Sequence, residues 1–171
     1  IYMKGVIFDF NGTMFFDTPI QEEAWQRIME REIGRRLTND EFKQKLHGRN
    51  NEQILKIFVD ENISDSETKR IINDKESLYR QLCLTEFKDD FHLAKGLEKL
   101  LDMCEKSGIK RCIATASDVE NVEFYTKNLG LDRWFSKNDI MCNDGTLPSK
   151  PNPQIYFKAI QKSGLQTDEL Y

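Results

Sequence analysis

The residue whose type and position best suit chemistry is Asp9, which directly follows the apolar run Gly5-Val6-Ile7-Phe8. A run this short, with two β-branched residues, suits a buried strand of a parallel sheet. The C-terminal ends of such strands are where open α/β folds place their ligands. A carboxylate there can attack phosphorus or coordinate a cation, or it can simply cap a turn. The neighbours bear on that choice: Gly12 permits a tight backbone path, Thr13 offers a hydroxyl, and amides of the Phe10-Asn11-Gly12 loop can face phosphate oxygens. Thr115 closes a second apolar run, where its hydroxyl and the Ala116 amide would form a compact oxygen cradle. Lys150, between a turn-rich stretch and Pro151, could neutralise a phosphate and a nucleophile together. Each of the last two has an ordinary alternative, a strand-end threonine and a solvated lysine.

These residues need elements to hold them. Positions 18–90 are rich in charge and nearly free of glycine and proline, with apolar residues at helical spacing: Ala24, Trp25, Ile28, Met29 and Ile33, then Ile54, Leu55, Phe58 and Val59. A third helix, entered through a Ser64-to-Glu67 capping pattern, carries Leu78 and Leu82 and is expected to extend towards Phe87. Beyond Phe91 the character alternates. Residues 96–106 read as a helix with Leu97, Leu100, Leu101 and Cys104 on one side, and 109–114 as a strand. A helix capped by Ser117 or Asp118 then runs to Asn128, and Phe135 and Ile140-Met141-Cys142 read as strand-like pieces. The last helix, behind Pro151 and Pro153, ends near Gly164. This order favours an α/β core with an all-helical insertion.

A chain of 171 residues can bury a substantial core, and 39% apolar with 32% charged residues fits a folded protein. No apolar run approaches the roughly 20 residues of a membrane span, and the opening stretch has no adequate signal-peptide core. A cytoplasmic, membrane-free, monomeric protein is the default expectation. Cys83, Cys104, Cys112 and Cys142 show no metal-ligand spacing and read as reduced thiols. The net charge of −4, without a basic block, argues against nucleic acid.

The ordered set Asp9-Phe10-Asn11-Gly12-Thr13, Thr115 and Lys150-Pro151, with a cap-sized interval after the first motif, resembles the haloacid-dehalogenase-like superfamily in its helical-cap branch. Within it the chain looks most similar to β-phosphoglucomutase-like phosphatases. The resemblance implies a Rossmann-like parallel-sheet core formed by residues 1–16 and 91–171, with a helical cap over 17–90. It also implies an aspartyl-phosphate mechanism, with Asp9 as nucleophile and Mg2+ held by the Asp9 carboxylate and the Asn11 main-chain carbonyl. Thr115 and Lys150 would hold the transferring phosphoryl group, helped by Thr13 and the amides of Phe10, Asn11 and Ala116. The cap loop containing Gly48, Arg49 and Asn51, together with Trp25, would meet the substrate, although Trp25 serves equally well as packing between cap helices. His47 reads as a loop or packing residue.

Two departures stand out. Family members usually carry a second aspartate at the position of Asn11, as acid and base; an amide cannot exchange a proton near neutral pH. Asn11 is compatible with a slow or specialised enzyme, a phosphoenzyme trap, or a chain that binds without turnover, and the first is favoured. The family pattern also leads one to expect a further strand near Leu170-Tyr171 and an acidic loop after it. The core therefore reads as incomplete at its C terminus, with Asp168 and Glu169 poor substitutes for that loop. The resulting expectation is a magnesium-dependent phosphatase of a small phosphorylated metabolite. The alternatives are a β-phosphoglucomutase and a non-catalytic phosphometabolite-binding protein.

Overall fold

A computed structural model describes residues 3–170. Ile1 and Tyr2, which precede the first methionine, and Tyr171, where a further strand was expected to begin, lie outside the described residues. In chain order the main elements are β1 (Gly5–Phe8), α1 (Thr18–Ile33), α2 (Asn39–Glu41), a π-turn (Phe42–Leu46), α3 (Asn51–Phe58), α4 (Asp65–Leu84), α5 (Leu97–Lys106), β2 (Lys110–Asp118), α6 (Val119–Leu129), β3 (Ile140–Asn143) and α7 (Gln154–Ser163). The fold is α/β, with parallel strands and a large helical insertion. The chain divides into two compact units, one of residues 1–16 and 92–171, the other of residues 17–91.

In the first unit the three strands are parallel in the order β1-β2-β3. Side chains alternate across a strand, so Cys112 and Ala114 of β2 share one face. They pack with Met141 against Ile155 and Ala159 of α7, all five buried. Helix α6 starts where Asp118 accepts a hydrogen bond from the Asn121 amide and stops at Gly130, whose φ of 65° suits a left-handed C-cap. Helix α5 buries Leu97, Leu101 and Cys104 but leaves Leu100 exposed at the edge of the stripe, unlike the sequence reading. Phe135 also departs from it: the residue lies outside any strand, buried, with its ring edge-on to Phe8.

The helical unit has its own core, in which Trp25, Ile28 and Met29 of α1 meet Ile54 and Leu55 of α3 and Ile71 of α4. Each helix has a local reason to begin. Pro19 opens α1, Asn50 and Gln53 form a reciprocal capping box for α3, and Ser64 accepts from the Glu67 amide to start α4. Burial also takes in charge. Lys75 Nζ lies 3.1 Å from Glu76 Oε1, also donates to Gln21 Oε1, and sits 5.5 Å from the Trp25 and Tyr79 ring centroids. Asp17 is likewise buried, accepting from Tyr79 Oη at 2.8 Å and Gln21 Nε2 at 3.0 Å. A buried charge persists only when so partnered.

Candidate active site

The register of the sheet brings the first motif together. Phe8 lies opposite Ile113, so Asp9 leaves β1 beside Ala114, one residue before Thr115. The chain after Asp9 folds into a tight loop in which the amides of Thr13, Met14 and Phe15 all donate to the Phe10 carbonyl. Gly12 sits there at φ 77°, a conformation that L side chains rarely adopt. The loop is anchored from below: the Phe10 side chain is buried and stacks on Tyr125 at 4.5 Å, which leaves only its main chain to meet a ligand.

Lys150 comes from the segment between β3 and α7. Its ammonium donates to Asp9 Oδ1 at 2.5 Å and to the Ala114 carbonyl at 2.8 Å, and lies 5.0 Å from the Tyr156 ring centroid. Thr13 Oγ1 donates to the other Asp9 oxygen at 3.3 Å. The Asp9 side chain is 41% exposed and that of Lys150 22%, so this ion pair is open to solvent and to an incoming anion.

Asn11 is held beside it by a set of hydroxyls. Its Oδ1 accepts from Ser117 Oγ at 2.7 Å and Thr115 Oγ1 at 3.4 Å, and its Nδ2 donates to Tyr125 Oη at 3.2 Å. Thr115 in turn accepts from the Ser117 amide at 3.1 Å. Ser117 and Tyr125 are the residues that sequence reasoning missed. The T-x-S spacing at Thr115 was a signal for Ser117, whereas nothing local pointed to Tyr125, which is brought in by α6.

Asp9, Asn11, Thr13, Thr115 and Lys150 are thus assembled at one end of the sheet, with the exposed Ala116 next to Thr115. The residues expected to meet substrate from the cap all belong to the helical unit. Trp25 is 2% exposed and part of its hydrophobic core. Asn51 donates to Glu76 Oε1 at 2.8 Å, and Arg49, on the surface, donates to the Gln44 carbonyl at 2.9 Å. Gly48 turns the loop at φ 77°. His47 contacts Glu22 at 2.8 Å, and His92 contacts the Leu93 carbonyl at 2.9 Å.

Among the described residues no group of three or more His, Cys, Asp or Glu side chains could hold a metal ion. The site offers the Asp9 carboxylate and nearby main-chain carbonyls. That set fits Mg2+, which commonly keeps several waters and takes one or two carboxylates plus substrate phosphate oxygens. Glu169 is engaged elsewhere, paired with Lys4 at 2.6 Å before the start of β1, the opposite end from Asp9. Nearby, Leu170 forms an isolated parallel bridge to Gly5.

A parallel three-stranded core with a helical insertion after its first strand, and an aspartate where that strand ends, is the architecture expected of a haloacid-dehalogenase-like hydrolase fold. The chain belongs to the haloacid dehalogenase-like hydrolases, whose family model matches residues 3–170. It is 38% identical to a family IA, variant 3 hydrolase of Entamoeba histolytica, covering 98% of this chain and 74% of that one with a TM-score of 0.91. CbbY of Rhodobacter sphaeroides, solved in complex with phosphate, is 18% identical over 98% of this chain and 76% of its own, at a TM-score of 0.80. A β-phosphoglucomutase of Clostridium difficile is 20% identical over 98% and 74%, at a TM-score of 0.79. The latter two likenesses concern the fold. No helix among the described residues is long and apolar enough to cross a membrane.

Proposed function

We propose that the protein is a magnesium-dependent phosphatase of small phosphorylated metabolites, working through an aspartyl-phosphate at Asp9. The observation that carries this reading is the Asp9 carboxylate held between Lys150 Nζ and Thr13 Oγ1 at the open end of the sheet. Lys150 orients the carboxylate and is placed to share its charge with the phosphoryl oxygens, assisted by Thr115 and the amides near Asn11 and Ala116. An Asp9 oxygen forms a bond to phosphorus as the bond to the leaving oxygen breaks; water then attacks the acyl-phosphate, releasing phosphate and restoring the carboxylate. The Asp9 carboxylate and the Asn11 main-chain carbonyl would hold magnesium, which would supply charge neutralisation when bound. Asn11 cannot deliver the proton that the leaving oxygen needs, so esters with good leaving groups are the favoured substrates.

The test is magnesium-dependent phosphate release from a panel of phosphate esters, including β-glucose 1-phosphate, by the wild type and Asp9→Asn. Release is expected to vanish in the variant, and a phosphate adduct should be detectable on Asp9 of the wild type by mass spectrometry. Equal release by both proteins would sink the reading. Conversion of β-glucose 1-phosphate to glucose 6-phosphate in place of release would make the chain a mutase.

Asn11 favours one other reading, a phosphometabolite-binding protein without turnover, because its amide is fixed by hydrogen bonds rather than replaced by a proton carrier. Saturable binding of the same esters, with no release and no adduct, would decide for it.

A further inference from the structure

The sheet has a second polar cleft at its other end. Lys110 lies five residues before Thr115, about 16 Å along an extended strand. Around it, Lys110, Arg111, Cys112, Trp134, Asp139 and Lys162 are among the residues lining a cleft of about 330 Å³. The topology explains why it exists: β1 runs beside β2 from Lys110 upward, but β3 joins only at Ile113, opposite Ile140. Below that level the β3 side of β2 has no strand among the described residues. The Lys110 amide donates to the Lys4 carbonyl on the β1 side at 2.9 Å. By the alternation of the ladder, the Arg111 peptide N–H faces the cleft side.

Three cations and one carboxylate line this space, and the carboxylate is already engaged. Asp139 Oδ2 accepts from both the amide and the hydroxyl of Ser136, at 2.7 and 2.6 Å. Lys110 Nζ donates to the Ser163 carbonyl at 2.5 Å, where a cation suits the C-terminal end of α7. Arg111 is less well satisfied. Its terminal nitrogens reach the carbonyls of Trp134 at 3.2 Å and Ile109 at 3.4 Å, and Glu105 at 3.5 Å. Its Nε is the buried side-chain nitrogen or oxygen that has no partner among the described residues. A buried guanidinium N–H left unpaired calls for a water or an ion.

We propose that this cleft is a second oxyanion site, distinct from Asp9, that takes a small phosphate-like anion on Arg111 Nε, the Arg111 amide and Lys162. The unpaired Arg111 Nε–H supplies a charge-assisted donor, and the exposed Lys162 ammonium supplies a mobile counter-charge. The proposal does not rest on the phosphatase reading, since none of these residues is near the first motif.

The experiment titrates inorganic phosphate into the isotope-labelled full chain, with sodium chloride at matched ionic strength as control, and follows the Arg111 Nε–H and the amides of 110–112 by NMR. Saturable shifts specific to phosphate are expected, equally in a Lys150→Met variant that weakens the Asp9 site. Lys162→Ala should weaken the affinity on the order of tenfold, the loss of one charge-assisted hydrogen bond. Arg111→Lys, which keeps the charge but lacks the Nε donor, should weaken it further. Shifts reproduced by chloride alone, or an affinity unchanged in both variants, would overturn the proposal.

Discussion

Each unit of the molecule contains a lysine–carboxylate pair, and the two pairs are built differently. In the core unit, Lys150 and Asp9 are 141 positions apart in sequence, 2.5 Å apart in space, and keep 22% and 41% of their side-chain surface exposed. In the helical unit, Lys75 and Glu76 are sequence neighbours with 3% and 10% exposed, and they are further bonded to Gln21 and Asn51 respectively. An open pair can be parted by a ligand that brings its own charge. A sealed one cannot, because parting it leaves a charge stranded in a low-dielectric interior. The difference separates residues available for chemistry from residues that hold a fold.

The largest expected effect lies beside the open pair. Asn11→Asp gives the site a proton carrier at a position already surrounded by the Ser117, Thr115 and Tyr125 hydroxyls. Under the phosphatase reading, steady-state turnover on esters with poor leaving groups should rise by about 10²- to 10⁴-fold, the usual worth of general acid–base catalysis. Esters with good leaving groups should gain less. An unchanged ratio between the two substrate types would show that Asn11 is not what limits turnover.

The comparison itself is tested by making the same substitution in both pairs. Lys75→Met strands Glu76 and should cost about 3–5 kcal/mol, read as a lower urea midpoint. Lys150→Met should cost no more than about 1 kcal/mol, since that pair is partly solvated. It should nevertheless lower kcat by about 10²- to 10³-fold, as expected for a lost electrostatic contact in the transition state. If Lys150→Met destabilises the protein as much as Lys75→Met does, the distinction between open and sealed pairs fails.

Much of the open site was legible because its signals are local. An apolar run that breaks at a carboxylate, a glycine three positions later and a hydroxyl after that specify a strand and its exit loop with no long-range information. Helix starts were legible for the same reason: Ser64 and Glu67 show their capping relation in the sequence, and it is present in the structure. What could not be read depends on distant partners. Lys75, Glu76 and Asp17 look like surface charges until Gln21, Asn51, Tyr79 and Trp25 are folded around them. Tyr125 looks like a core aromatic, which it is, until its hydroxyl is seen accepting from Asn11. Phe135 shows the converse error, since an isolated apolar residue was read as strand when it is a packing plug against Phe8. Leu100 shows the limit of periodicity, because it falls on the apolar stripe of α5 with Leu97, Leu101 and Cys104 and is nevertheless left in solvent.

The smallest expected effect concerns an ion pair of a third kind, on the surface of the helical unit. Arg35 clamps Glu41 with two hydrogen bonds of 2.9 and 2.7 Å, and the Thr38 amide donates to the same carboxylate. The arginine first, and the amide second, lower the Glu41 pKa from 4.5 to about 2. A carboxylate whose folded-state pKa is depressed binds fewer protons folded than unfolded. Its contribution is therefore fully present above pH 4.5 and is lost as the pH falls towards 2. Arg35→Gln should leave that stretch of the stability–pH curve shallower, with urea midpoints at about pH 5 and about pH 2.5 drawn closer together than in the wild type. Because the pair lies at the protein surface, with the Arg35 side chain half exposed, added salt should have the same flattening effect. A sealed pair such as Lys75–Glu76 should be insensitive to that salt, so a midpoint difference between wild type and Lys75→Met that collapses with ionic strength would place the two pairs in one class after all.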